Sequence, residues 1–206
     1  MFGKPFCAAA ACLLLFAALP FSACAPQEEP RGVYAIEAEY EDGTLRASMR
    51  FSFCNGTGEP LSALDFNLYG NAFREGALYP PVTPSSAEAA YWAGESCGEM
   101  KILSVSPCAG WEVCGEDENI LRVTPEQELF PGEKAETEIV WELKLAEINH
   151  RTGISESAVN LGNFYPVLCV SEEGRGFVPC AYSANGDPFY SECADYEVTF
   201  TAPASY

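Results

Sequence analysis

A single histidine, His150, and thirty carboxylates against eleven lysines and arginines set the chemical repertoire of this 206-residue chain. A hydrolytic zinc site needs two imidazoles one helical turn apart, as in HExxH, with a carboxylate to activate the bound water. One histidine does not supply that set. As the base for a Ser or Cys nucleophile, His150 sits between Asn149 and Arg151 in an expected exposed turn. The neighbouring Gly153-Ile154-Ser155-Glu156-Ser157 lacks the second glycine of a nucleophile elbow. The expectation is a surface or turn-bonding histidine. Glu116-Asp117-Glu118-Asn119 has too few alternating ligands, and no glycine at the required position, for a calcium loop. It reads as the solvated tip of a hairpin, and Glu172-Glu173-Gly174 as a turn. Paired carboxylates for glycoside hydrolysis need a spatial separation that sequence does not state.

The cysteines depend on what happens at the N-terminus. Lys4 precedes an unbroken apolar run from Cys7 to Leu19, too short to span a bilayer, then Pro20 and Ser22-Ala23-Cys24-Ala25. This is a secretory signal peptide over residues 1–23. Phe21-Ser22-Ala23-Cys24 resembles a bacterial lipobox, with Phe21 where Leu is usual, which makes Cys24 the lipidated first residue of a cell-surface lipoprotein. Cleavage after Ala25 would instead release a secreted protein. Residues 24–31 form a polar tether. Beyond it lie Cys54, Cys97, Cys108, Cys114, Cys169, Cys180 and Cys193, an odd set with no CxxC pair and therefore neither metal-like nor fully pairable. Cys108 and Cys114 flank one expected turn and Cys169 and Cys180 another, so these are the candidate disulfide partners. The formal net charge of −19 disfavours nucleic acid and anionic membrane surfaces.

From Val33 the text alternates with period two. Tyr34, Ile36, Ala38 and Tyr40 fall on one side, then Asp42-Gly43 turns the chain, and Leu45, Ala47, Met49, Phe51 and Phe53 continue the pattern. A half-buried antiparallel hairpin is predicted here, with Asn55-Gly56-Thr57 as turn chemistry although it fits a glycosylation sequon. Further strands are predicted at Leu61–Tyr69, Met100–Val105, Trp111–Cys114, Ile120–Val123, Glu136–Leu145 and Ala194–Thr201, with at most a short helix within 86–96. The fold class is all-β: one domain of mostly antiparallel sheets, sandwich or saddle-like, over residues 32–206.

Two segments carry a more specific pattern: Val159-Asn160-Leu161-Gly162-Asn163-Phe164-Tyr165-Pro166-Val167, and Gly186-Asp187-Pro188-Phe189-Tyr190-Ser191-Glu192. With Phe53-Cys54-Asn55, Leu68-Tyr69, Leu129-Phe130-Pro131-Gly132-Glu133 and Arg151-Thr152-Gly153 in order, the chain resembles the N-terminal β domain of bacterial aminopeptidase N-like zinc metallopeptidases. The resemblance covers about residues 32–204. It implies that zinc, HExxH and the Gly-x-Met-x-Asn signature belong to a catalytic domain that this sequence lacks, so the chain reads as part of a truncated or incomplete metallopeptidase. No cofactor is expected here and no catalysis by this chain alone. Its expected partners are a membrane through the lipid, a catalytic domain in cis or in trans, and a peptide substrate indirectly. In relatives a Gln or Glu near this first segment helps hold the substrate's amino group; here Asn160 and Asn163 stand in that neighbourhood without a firm register. The motif residues Asn163, Tyr165, Pro166 and Gly186 to Glu192 are expected to be structural, with Phe189 and Tyr190 plugging the core and Glu192 bonding nearby backbone. The alternative is a stand-alone lipid-tethered binding module, with Trp92, Trp111 and Tyr165 as an aromatic platform.

Overall fold

Strict alternation makes the first hairpin. β1 (Val33–Glu41) buries Tyr34, Ile36, Ala38 and Tyr40 while Val33, Glu37 and Glu39 face out. Asp42 and Gly43 both take positive φ, 45° and 78°, the mirror-image turn that matches strand twist. β2 (Thr44–Cys54) returns with Leu45, Ala47, Met49 and Phe51 on the same buried side. The structure, a computed structural model, describes residues 32–204; the leader, Cys24 and the tether lie outside the described residues.

The remaining strands are β3 (Leu64–Asn67), β4 (Glu99–Ser106), β5 (Gly110–Cys114), β6 (Ile120–Thr124), β7 (Lys134–Lys144), β8 (Thr152–Ile154), β9 (Val159–Leu161), β10 (Val167–Leu168), β11 (Val170–Glu172), β12 (Gly176–Val178) and β13 (Asp195–Thr201). The one described α-helix, α1 (Ala87–Ala90), is a single turn. A five-stranded sheet runs β13-β1-β2-β7-β4 and a four-stranded sheet runs β10-β3-β6-β5, with two small hairpins, β11-β12 and β8-β9. Among the described pairings β1 with β13 is parallel and the others are antiparallel. The all-β reading therefore holds.

The core lies between the two larger sheets. Phe51 of β2 meets Phe66 of β3 edge to face at 5.2 Å, and Trp141, Leu121, Ile139 and Leu45 are fully enclosed around them. A second, smaller cluster gathers Tyr69, Phe73, Ile148, Val167 and Tyr182. The strand expected over Leu61–Tyr69 is shorter. Leu61 makes only an isolated bridge to Leu129, and Tyr69–Phe73 curls into a 3-10 turn. The buried Asn71 side chain fixes that turn by accepting from the Met100 amide at 2.9 Å and donating to the Glu118 carbonyl. A Cβ on Gly70 would stand 2.9 Å from a Leu143 methyl and 3.2 Å from the Met100 Cβ, so the turn packs closely on the large sheet here.

Phe66→Ala removes the ring that joins the two sheets and leaves a cavity. Chemical denaturation should show a loss of about 3–5 kcal/mol; a loss below about 1 kcal/mol would mean the sheets do not depend on this contact.

Candidate functional site

The structure brings three of the segments singled out in the sequence into one assembly. β8 and β9 pair, with Thr152 opposite Leu161, so Arg151-Thr152-Gly153 lies alongside Asn160-Leu161-Gly162. The Gly162 amide donates to the Arg151 carbonyl at 2.8 Å, and the Thr152 hydroxyl donates to the Gly162 carbonyl. A Cβ at Gly162 would stand 2.9 Å from that Arg151 oxygen. The Asn160 side-chain amide donates to the His150 carbonyl at 2.9 Å, which makes Asn160 a turn brace. Asn163 takes φ 49°, a conformation asparagine tolerates better than most residues, and turns the chain into Phe164. The Phe164 carbonyl accepts from the buried Trp141 indole at 2.9 Å, Pro166 is buried, and the half-buried Tyr165 packs against Tyr34 and Tyr196.

Arg151 then reaches the second motif. Its guanidinium donates to the Asp187 carboxylate and to the Gly186 carbonyl, both at 3.2 Å, and stands 5.8 Å from the centre of the Phe189 ring. Pro188 is buried, and Phe189 packs edge-on against Tyr69 at 4.9 Å and Tyr182 at 5.9 Å. The Tyr69 hydroxyl accepts from the Tyr190 amide and donates to the Tyr190 carbonyl. Burial holds the Tyr69 phenol far above its ordinary range. The two halves of the motif behave differently. Phe189 packs into the smaller core, but the Tyr190 ring does not: it is 42% exposed, with its hydroxyl 3.3 Å from Glu172. Ser191 and Glu192 are exposed, and among the described residues Glu192 makes no backbone bond.

His150 is not a free surface residue. Its Nδ1 lies 3.3 Å from the Tyr182 hydroxyl and its ring meets Phe73 at 5.8 Å. Burial first, and then the neighbouring Arg151 charge, lower its pKa. Ser155 closes its own turn by donating to the Ala158 carbonyl and accepting from the Ala158 amide. Among the described residues no cluster of His, Cys, Asp or Glu could hold a metal ion.

Asp117 overturns the reading of its loop as a solvated tip. It is buried, accepting from Arg74 Nη2 at 3.0 Å and from the amides of Leu78 and Tyr79 at 2.9 and 3.1 Å. The acidic run 116–118 thus ties the irregular segment after the 3-10 turn to the β5–β6 hairpin. Asp65 forms a two-pronged pair with Arg122 directly across β3 and β6, both bonds at 2.8 Å. Asn55 is a turn brace: its buried amide donates to the Glu59 and Leu129 carbonyls.

The seven described cysteines are unpaired. Cys108 stands two residues before strand β5 and Cys114 ends it, so extended chain and not a turn separates them; the strand alone runs about 13 Å, against the ~7 Å Cα limit of a disulfide. Cys169 and Cys180 do flank the β11–β12 hairpin. Burial raises the pKa of both thiols, most strongly at Cys169, and suppresses the reactive thiolate. Trp92 donates its indole N–H to the Ile154 carbonyl, Trp111 lies on β5, and Tyr165 sits in the Tyr34–Tyr196 cluster. No described ring contact joins these three into a platform.

No protein-family model matches this chain, and no curated protein does. Among solved structures, it is similar to the M1 zinc metallopeptidase from Deinococcus radiodurans at 16% identity, TM-score 0.45, over 85% of this chain and 33% of that one. A mutant of the Deinococcus radiodurans enzyme bound to a Tyr-Ser-Ala substrate gives a TM-score of 0.47, also at 16% identity over 85% and 33% of the two chains. A two-domain M1 zinc metallopeptidase mutant bound to L-tryptophan gives the same TM-score, identity and coverage. The chain spans about a third of the length of these structures. At this identity the likeness is a loose one of fold alone.

Two outcomes follow from the geometry. Asp117→Ala leaves the Leu78 and Tyr79 amides without their acceptor and removes one of the two carboxylates paired with Arg74, Glu118 at 3.3 Å remaining, and should cost about 3 kcal/mol in denaturant unfolding. His150 has a lower pKa folded than unfolded, so its contribution to stability is fully present above the ordinary imidazole value of 6.5 and is lost as pH falls through the folded pKa. The melting temperature should therefore drop less on acidification below that value in His150→Gln than in the parent; equal drops would contradict the assignment.

Proposed function

We propose that this is the non-catalytic N-terminal β domain of an exported zinc aminopeptidase-like protein, with the task of supporting and lining a catalytic domain. The observation that carries the reading is β13. Its register with β1 sets Tyr196 beside Tyr34, Val198 beside Ile36 and Phe200 beside Ala38. Parallel neighbours in register share a face of the sheet, and the β1 residues are core. Yet Tyr196, Val198 and Phe200 remain 47%, 50% and 45% exposed. The four-stranded sheet stops short of this edge, so the core face of the large sheet continues outward uncovered. The outer hydrogen-bonding edge of β13 also has no strand beside it among the described residues. Three large apolar side chains on the core side favour a covering partner, at about 25 cal/mol per Å² of apolar surface removed from water.

The motif assembly around Arg151 supports the same reading from the sequence side, because the segments that resemble the metallopeptidase β domain pack on one another. The donors present do not fit zinc: the single imidazole is half-buried and engaged with Tyr182. The metal belongs to the catalytic domain in this proposal, and the peptide substrate meets this chain only at its margin. Export with acylation at Cys24 belongs to the same reading and would tether the assembly to a membrane by lipid. A specific observation favours a second reading, a lipid-tethered binding module: a cleft of about 490 Å³ opens between the sheets.

Sequencing the transcript through and beyond the codon for Tyr206 tests the proposal. The expected result is a frame, direct or displaced by a frameshift, that runs into HExxH and a downstream Glu. A stop codon with no metallopeptidase frame behind it would overturn the proposal and leave the binding module.

A further inference from the structure

The cleft lies where β6 hands the chain to β7. Its floor is apolar, formed by Leu64, Val123, Leu129 and Ala135, contributed by β3, β6, the connection and β7. Its rim is acidic, with Glu126, Glu128 and Glu133, while Lys134 and Glu136 alternate with the inward Ala135 and Thr137 and so turn to the outer face of the sheet. Glu133 accepts from the Phe130 amide, which fixes its side chain without neutralising it. Glu126 and Glu128 are exposed and have no ion pair or hydrogen bond among the described residues.

A second, independent feature points to a ligand. Thr137 occupies an inward position of β7, in line with Ala135, Ile139 and Trp141, and it lines the cleft. It is 6% exposed and its hydroxyl has no hydrogen-bond partner among the described residues. Buried hydroxyls are almost always paired, because an unpaired one forfeits its bonds to water without replacement. The neighbouring inward positions Ala135, Ile139 and Trp141 are all apolar, and a valine would fill the same space as Thr137 with a second methyl in place of the hydroxyl. A hydroxyl kept here is accounted for by a donor or acceptor that enters the cleft.

We propose that the cleft binds a short extended peptide segment through a long basic side chain. The methylene stem packs on Leu64, Val123 and Leu129, the cationic head lies among the rim carboxylates, and a polar group of the segment meets the Thr137 hydroxyl. Lysine and arginine are the side chains that combine a long apolar stem with a terminal charge. The volume lies within the ~300–1,000 Å³ of ligand sites. Anionic ligands are disfavoured by the three carboxylates of Glu126, Glu128 and Glu133. The proposal does not depend on what covers β13, since β1 and β2 separate that strand from β7 in the sheet.

The test is fluorescence anisotropy at physiological salt, with the mature protein and a capped, labelled pentapeptide carrying one lysine among leucines. The lysine-acetylated twin is the comparison. Saturable binding is expected, weakened about tenfold or more by acetylation and by the Glu126→Gln/Glu128→Gln pair. Thr137→Val should weaken binding several-fold without lowering the melting temperature, which separates a lost ligand contact from a damaged fold. The Glu37→Gln/Glu39→Gln pair on the outer face of β1 removes the same charge elsewhere and should leave affinity unchanged. Absence of saturation into the millimolar range, equal affinity for the acetylated twin, unaltered binding by Thr137→Val, or an equal loss in the β1 control pair would each overturn the proposal.

Discussion

The indole of Trp141 is the contact on which the rest of this structure depends. Its ring is fully enclosed between the two sheets, and its one polar atom leaves the core to hold the Phe164 carbonyl at 2.9 Å. A buried indole N–H needs a partner, and here the partner is the loop that carries Asn163 to Pro166. That loop bonds through Gly162 to Arg151, and Arg151 bonds to Gly186 and Asp187. A chain of neighbouring bonds thus runs from the sandwich core to the outer strap. The same loop supplies Tyr165, whose hydroxyl donates to that of Tyr196 at 3.1 Å, so the position of β13 is tied to it as well.

Several of the motif residues have a place in this chain of contacts. Asn160, Arg151, Pro188 and Phe189 each meet a need of the backbone or of the small core. The surfaces left over are of two kinds. One is the apolar edge of the large sheet at β13, and the other is the acid-rimmed cleft at the start of β7. With β1 and β2 between them, the two strands stand about 14 Å apart across the sheet.

The sequence makes the first hairpin legible because alternation over twenty residues leaves one buried side, and a one-residue slip would expose every core side chain. β13 is legible as a strand by the same alternation, but its parallel pairing with β1 is not, since nothing local encodes a partner more than 150 residues away. Asp117 is hidden for a related reason. Its neighbours Glu116 and Glu118 read as solvent-facing, and the burial comes from Arg74 and a loop some forty residues earlier. Cys108 and Cys114 mislead because Gly110 reads as a turn residue but opens strand β5. The cleft joins positions 64, 123 and 137. Its one local signal is a threonine in the inward series Ala135, Thr137, Ile139 and Trp141.

The central claim is that the last strand depends on a partner to cover its core-side face. Hydrogen exchange of the isolated mature chain, read strand by strand, addresses it most directly. The account predicts that the amides of β13 exchange through local opening, well before those of β1, β2 and β7, which exchange only on global unfolding. If β13 were protected to the same free energy as β2 and β7 in the monomer, the strand would be complete as it stands and the docking account would fail.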